Sequence, residues 1–222
     1  HTAYFKANYP AEYMTALLNT KAGNIEVMSQ LMGECKRMGL TIFGPDINKS
    51  KREFSVNLDG EIRFGLSSLK NVGDAAVDAI LEDREENGSF ENIFDLAARV
   101  KNKGLNKKTV EALAEGGGFD SFPEMHRAMF FTQGAGSKYT NLDLILKYGS
   151  DFSGSHEMLN NSLFGEMGLP DVKPPKLADC EEWTLAEKLK REKGVLSFYI
   201  TAHPLDNYHR EMDIYNFHQM TD

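Results

Sequence analysis

The sequence is poor in cysteine and has no long apolar run. Its 222 residues contain two cysteines, Cys35 and Cys180, which lie far apart and lack the short spacing of metal ligands. This usage indicates reduced thiols, as in cytosolic proteins. No apolar stretch approaches the ~20 residues that a membrane span needs, and no basic segment followed by an apolar run marks a signal peptide. We therefore expect a cytoplasmic protein that does not bind membranes, and the first residue, His1, suggests an excised segment or a processed chain.

Positive charge is also scarce. Lys and Arg number 25 against 33 Asp and Glu, which gives a net charge of −8 at pH 7. Phosphate contacts are made mostly by Lys and Arg, so this balance argues against tight, autonomous binding to DNA. It leaves room for a local contact by backbone amides and a few lysines. Lys101, Lys103, Lys107 and Lys108 form one such basic stretch, although a short charged run is most simply a solvated surface.

Catalytic patterns are missing from the sequence. No acidic pair sits in a predicted strand with the spacing that holds two Mg²⁺ ions for nucleotidyl transfer. The six histidines are scattered, and His203 and His209 lie six residues apart across Pro204, a poor geometry for zinc. No Walker-type loop, dinucleotide fingerprint or Gly-x-Ser-x-Gly is present. The chain is therefore predicted to contain no catalytic residues, no metal site and no cofactor of its own.

The periodicity of the apolar residues predicts a mainly α fold with one small β-hairpin. Helices are expected within residues 1–39 and at about 67–71, 74–86, 91–99, 106–115, 123–131, 142–148 and 181–199. Asp59-Gly60 between residues 54–57 and 61–64 predicts the β-hairpin. Residues 149–175 are rich in Gly, Ser, Asn and Pro, which is typical of a linker. The predicted units are residues 1–65, a hairpin domain at 66–148, a linker at 149–180 and a helical segment at 181–222.

Residues 66–84 have the spacing of a helix-hairpin-helix, in which a short helix ends in h-x-x-h-x-Gly-h-Gly (h, apolar). Exposed amides of such a hairpin, together with the dipole of the second helix, attract a phosphate. Asn71 replaces the first glycine, and Asn tolerates left-handed geometry better than most residues. The alternative is a simple turn between two packed helices. The candidate residues for binding the DNA backbone are Lys70, Asn71, Val72, Gly73 and Asp74.

Residues 107–122 resemble a second, weaker hairpin. The candidate residues here are Lys107 and Lys108, with a turn at Gly116, Gly117 and Gly118 and a following helix that starts near Pro123. Three glycines are equally compatible with a helix C-cap followed by a loop.

A short peptide in the predicted linker has the character of a docking motif. Leu163 and Phe164 are adjacent apolar anchors of the kind that carry most of the energy of a small interface. Asn160, Asn161 and Ser162 can supply hydrogen bonds around them. The alternative is a loop whose Leu and Phe pack onto their own domain.

With these segments in order, the chain resembles the α subunit of bacterial DNA polymerase III, the C-family of replicative polymerases. The similarity extends from one end to the other and includes IRFGL at 62–66, KNVG at 70–73, GFD at 118–120, SLFG at 162–165, GVLSFY at 194–199 and HPLD at 203–206. Residues 160–164 fall where that family carries its internal clamp-binding motif, with Asn160 at a place usually held by Gln.

The resemblance implies a segment without the catalytic palm. Residues 1–65 would be the distal fingers, residues 66–148 a tandem helix-hairpin-helix domain on duplex primer-template DNA, and residues 181–222 the approach to an OB-fold outside this chain. The peptide would tether the polymerase to the sliding clamp, the β subunit, and other holoenzyme subunits would be partners. Polymerase activity and its Mg²⁺ would belong to the whole subunit. Two other functions remain open: a free-standing helix-hairpin-helix repair enzyme, and a purely structural spacer.

Overall fold

The computed structural model describes residues 2–161 and 173–200, and the fold is mainly α, as predicted. The helices are α1 (Thr2–Asn8), α2 (Pro10–Lys21), α3 (Ile25–Arg37), α4 (Asp74–Asn87), α5 (Ile93–Val100), α6 (Lys107–Gly116), α7 (Asn141–Asn161) and α8 (Leu185–Leu196). Short 3₁₀ turns occupy Leu66–Ser68, Lys101–Lys103 and Arg127–Phe131. None of the helices within these ranges combines the length and apolar character that crossing a membrane requires.

The predicted β-hairpin is confirmed, and a third strand joins it. Strands β2 (Ser55–Val56) and β3 (Ile62–Arg63) pair antiparallel around a turn in which Gly60 has a positive φ of 77°. Strand β1 (Ile42–Phe43) adds to the other side of β3 in parallel, with Ile42 opposite Ile62. Two residues are too few to produce a periodic signal, so the sequence did not indicate β1.

The N-terminal helices begin and end where local signals place them. Pro10 occupies the first turn of α2, where its missing N–H costs nothing. The side chain of Asn24 caps α3 by accepting the Val27 N–H at 3.2 Å. The apolar faces of these helices point inward, and Met14, Leu18, Met28 and Cys35 are buried in the core.

One hydrophobic core connects the sheet with the last described residues. Phe64 at the end of the β-hairpin packs against Phe54, with ring centroids 4.5 Å apart, and against Phe198, at 5.6 Å. Burial of such aromatic side chains is the largest apolar contribution available to a core. Residues 173–200 therefore fold back onto the domain that precedes them.

The linker predicted from residue 149 is wrong for its first part, since α7 continues through Asn161. Gly149 lies against α5 so closely that a Cβ there would be 2.5 Å from the carbonyl oxygen of Ala97. Ser150 and Ser153 donate their hydroxyls to the carbonyls of Leu146 and Gly149 within the helix. The glycine and serines that suggested a loop are thus helical residues: Gly149 is packed against α5, and the serine hydroxyls bond to carbonyls one turn back within the helix.

Three other helices are shorter than predicted. The helices expected at 67–71 and 123–131 are only the 3₁₀ turns at Leu66–Ser68 and Arg127–Phe131, and the helix expected at 181–199 spans Leu185–Leu196. Thr184 fixes the start of α8 by accepting the Glu187 N–H at 3.3 Å.

Candidate nucleic-acid interface

The first hairpin has the geometry expected from its sequence. The 3₁₀ turn at Leu66–Ser68 leads into a bend, and α4 begins at Asp74. Leu69 is buried, whereas Lys70 and Asn71 are exposed. Asn71 has a positive φ of 66°, the left-handed conformation predicted for it.

The start of α4 presents backbone amides to solvent. Its N-cap, Gly73, has no side chain to accept a hydrogen bond, and Gly73, Asp74 and Ala75 are all exposed. The first N–H groups of a helix have no partner within it, and the helix dipole gives them a partial positive charge. The carboxylate of Asp74 turns to Arg52, with Oδ1 3.0 Å from Nη1, and Arg52 also contacts Asp78.

The second hairpin lies between α5 and α6, upstream of its predicted position. Gly104 has a positive φ of 117°, Leu105 is buried, and Asn106 caps α6 by accepting the Thr109 N–H at 3.0 Å. This order of left-handed residue, apolar residue and N-cap repeats that of Asn71, Val72 and Gly73 in the first hairpin, where Val72 is half-buried. Lys107 and Lys108 therefore begin the second helix of this hairpin, α6. The sequence had predicted that they begin the first helix of the hairpin.

The predicted phosphate role of Gly116, Gly117 and Gly118 does not fit the structure. Gly116 ends α6, and Gly117 and Gly118 donate their amides to the carbonyls of Ala114 and Leu113 at 3.3 and 2.7 Å. All three glycines are buried. They form a helix C-cap and loop, the alternative that the sequence had left open, because a C-terminal turn uses its amides to satisfy the last helical carbonyls.

The two hairpins touch each other. A Cβ on Gly104 would be 3.3 Å from the backbone of Ala75 and Ala76 in the first turn of α4. Thr109 in α6 points its hydroxyl at the carbonyl oxygen of Asn71, 3.4 Å away. We call this surface, residues 70–75 and 103–108, the hairpin face. It brings the starts of α4 and α6 together.

The hairpin face contains lysines, and some of them already have carboxylate partners. Lys107 Nζ lies 2.8 Å from Asp143 Oδ1, and this hydrogen bond raises the pKa of Lys107 and lowers that of Asp143. Lys103 Nζ lies 3.5 Å from Asp83 Oδ2. Lys70 and Lys108 have no ion-pair partner within the part of the chain that the structure describes. The face thus offers both amides and cations to an anion.

The candidate residues for binding the DNA backbone did not include Gly104 or Asn106, and Lys103 was noted only as part of a basic stretch. The signal was present, since Gly104-Leu105-Asn106 matches the Gly-h-Gly end of the hairpin pattern, with Asn106 in place of the second glycine. The run of three glycines further on was the more conspicuous pattern and drew the prediction away from it.

The predicted docking peptide lies mostly outside the described residues. The backbone of Asn160 and Asn161 belongs to the last turn of α7, and Ser162, Leu163 and Phe164 are outside the described residues. In residues 2–161 and 173–200, His, Cys, Asp and Glu side chains form no group that could hold a metal ion.

Comparison of the sequence with known proteins identifies the same motif. A family model described as a helix-hairpin-helix motif covers residues 39–129, which include both hairpins. The DNA polymerase III subunit α of Borreliella burgdorferi is 35% identical over 217 residues, 97% of this chain, and that of Escherichia coli K12 is 35% identical over 215 residues, or 96%. The subunit of Pasteurella multocida is 35% identical over the full 222 residues.

The chain belongs to the DNA polymerase III α-subunit family. It spans 18% of the length of each of these three relatives. Within that family it is a segment that carries the helix-hairpin-helix motif.

Proposed function

We propose that this chain is a noncatalytic part of a replicative DNA polymerase that holds the backbone of duplex primer-template DNA on the hairpin face. The observation that carries the proposal is the contact of Gly104 with the first turn of α4, which sets two helix starts side by side. Two neighbouring phosphates of one DNA strand can each bind at one of these helix N-termini. Nothing in this arrangement reads bases, so the contact is independent of sequence.

The charge of the chain limits the strength of this contact. The net charge of −8 repels DNA as a whole, and the Lys107–Asp143 pair must share its cation with any phosphate. We expect the separate chain to bind DNA weakly, and more tightly as the salt concentration is lowered.

Titration of a fluorescent duplex at several salt concentrations tests the DNA contact. The variant Lys107→Gln/Lys108→Gln should bind less tightly, and its salt dependence should be shallower by about 1 to 2 in the log–log slope, because each phosphate contact contributes about 0.9. Lys21→Gln removes one exposed lysine from the end of α2 and serves as the control. Equal loss in all variants, or no loss in any, would contradict the proposal.

We further propose that residues 160–164 tether the polymerase to the sliding clamp. The support is the sequence of the peptide, with Leu163 and Phe164 as adjacent anchors, together with membership of the polymerase family. Asn160 and Asn161 are weaker starting residues than a longer amide and an apolar side chain, so we expect modest affinity.

The clamp proposal is tested by titrating the chain against the sliding clamp of the same organism. Leu163→Ala/Phe164→Ala should abolish binding, since loss of two anchors costs roughly 2–4 kcal/mol each when they fill a pocket. Equal binding by the variant, or none by the wild type, would remove the tether from the proposed function and leave the DNA contact unaffected.

We also propose that polymerase activity, its Mg²⁺ and the contacts with other holoenzyme subunits reside in the rest of the longer protein. A primer-extension assay and an incision assay, each with divalent metal, distinguish this from a free-standing repair enzyme. Activity that copurifies with the chain and responds to its variants would favour the enzyme.

A further inference from the structure

The C-terminal end of α8 is bonded to the first hairpin. Lys70 donates its backbone N–H to the carbonyl oxygen of Val195 at 3.0 Å. Val195 lies in the last turn of α8, where carbonyls have no partner within their own helix. One hydrogen bond therefore satisfies a group on each side and fixes the hairpin backbone next to Asn71.

Gly116 provides the space in which this contact forms. A Cβ on Gly116 would lie 2.8 Å from Leu69 Cδ2, 3.4 Å from Val195 Cγ2 and 3.7 Å from Leu196 Cδ2. Leu69, Val195 and Leu196 are all buried. The absence of a side chain at Gly116 thus lets Leu69 of the first hairpin sit between α6 and α8.

Ion pairs hold α8 against α6. Arg191 Nη1 lies 3.0 Å from Glu115 Oε1, and Glu192 Oε2 lies 3.3 Å from Nη1 of the buried Arg127. Arg127 also donates to the carbonyl of Glu115 in α6, at 3.2 Å. Since α6 begins at the second hairpin and ends at Gly116, α8 and α6 together set the position of one hairpin relative to the other.

We propose that Gly116 and Val195 are positioning residues that align the first hairpin with the start of α6, so that contact with the DNA backbone depends on the docking of α8. The inference rests on the proposed DNA contact and adds the device that holds its two halves together. Gly116, predicted from the sequence to touch phosphate, acts through Leu69 and Lys70.

The test compares Gly116→Ala with Gly194→Ala. Gly194 lies in α8 with nothing within 4 Å of an added Cβ, so its replacement leaves the contact intact and improves helix propensity. Two readouts are needed: the affinity for a fluorescent duplex, and hydrogen exchange of the Lys70 amide relative to amides in α3. We expect Gly116→Ala to bind the duplex roughly tenfold more weakly, which is the effect of losing one charge-assisted hydrogen bond between the hairpin and a phosphate. The Lys70 amide should exchange faster, while amides in α3 should not.

Replacement of Leu69 should rescue Gly116→Ala in part and offers a second way to loosen the first hairpin. Leu69→Val removes the atoms that an alanine at 116 would meet, so Gly116→Ala/Leu69→Val should recover part of the DNA affinity. Leu69→Val alone adds no atoms to the core, and it should loosen the Lys70 amide in a chain that still folds.

The outcomes separate the inference from the function it rests on. Unchanged DNA affinity in Gly116→Ala, with Lys107→Gln/Lys108→Gln still weakened, overturns the inference and leaves the DNA contact standing. Faster exchange throughout the chain also overturns it, because the effect is then on global stability. Absence of salt-dependent duplex binding by the wild type overturns both.

Discussion

Lys107 and Asp143 join the second hairpin to helix α7, with Nζ of the lysine 2.8 Å from Oδ1 of the aspartate. The other carboxylate oxygen of Asp143 accepts the hydroxyl and the N–H of Thr140, at 2.8 and 3.1 Å. These bonds hold the pKa of Asp143 below its usual range, and the lysine partner has its pKa raised in return. A phosphate that approaches the hairpin face must therefore compete with Asp143 for the ammonium group of Lys107.

Replacement of Asp143 should strengthen DNA binding. In Asp143→Asn the amide oxygen can still accept from Thr140, while the charge that holds Lys107 is gone. We expect duplex affinity to rise about two- to fivefold at low salt, the worth of a partly exposed ion pair. Fluorescence anisotropy measures it. Asp59→Asn, at the exposed tip of the β-hairpin, removes the same charge elsewhere. An equal gain in that control would show that net charge alone is responsible.

The left-handed conformation of Asn71 predicts which residues this position tolerates. With φ at 66°, Asn71→Gly should change the free energy of unfolding little, whereas Asn71→Val should lower it by about 1–2 kcal/mol because a β-branched side chain clashes in this region. Urea unfolding measures both. Equal stability of the valine and glycine variants would mean that the hairpin has another conformation at this residue.

The buried guanidinium of Arg127 should be costly to remove. It is 7% exposed and contacts Asp120 and the 1% exposed Glu192. Arg127→Met leaves the Glu192 carboxylate buried without its guanidinium, and we expect a loss of about 3–5 kcal/mol in the free energy of unfolding.

Two further variants check this assignment. Asp120 is about half exposed, so Asp120→Asn should cost about 1 kcal/mol or less. The double variant Arg127→Met/Glu192→Met should recover part of the stability, since it removes both members of the buried ion pair. Thermal or urea unfolding that ranks Arg127→Met no lower than Asp120→Asn would contradict the role of Arg127.

The lowered pKa of Glu34 predicts that the stability of the fold depends on pH in the acid range. Hydrogen bonds from Arg37 and then Lys6 lower the pKa of Glu34 from its ordinary 4.5 to about 2. A carboxyl whose pKa is lower in the folded state adds stability above its unfolded pKa. That contribution is complete above pH 4.5 and is lost as the pH falls toward 2.

An NMR titration of the Glu34 carboxyl, with unfolding measured across the same range, checks this expectation. Glu34→Gln should lack this part of the acid sensitivity. The Lys6 contact, at 2.8 Å, links α1 to α3, so the variant should also loosen α1. A midpoint for Glu34 near 4.5 in the folded chain would rule the two contacts out in solution.

The sequence by itself determined the helical character, the β-hairpin and the first helix-hairpin-helix. Each of these depends on chemistry within a few residues: Pro10 at a first turn, Asp59-Gly60 in a tight turn, and Asn71 where φ is positive. Local conformational preferences act without knowledge of the rest of the chain, and a sequence pattern records them directly.

Tertiary structure decided where the second hairpin lies, how far α7 extends and what Gly116 does. Gly104 and the three glycines at 116–118 were both compatible with a turn, and only the packing of Gly104 against α4 separates them. Gly149 is helical because α5 lies against it, and Gly116 is required because Leu69 and Val195 meet there. These outcomes depend on atoms distant in sequence, whose close approach is set by the packing of whole helices.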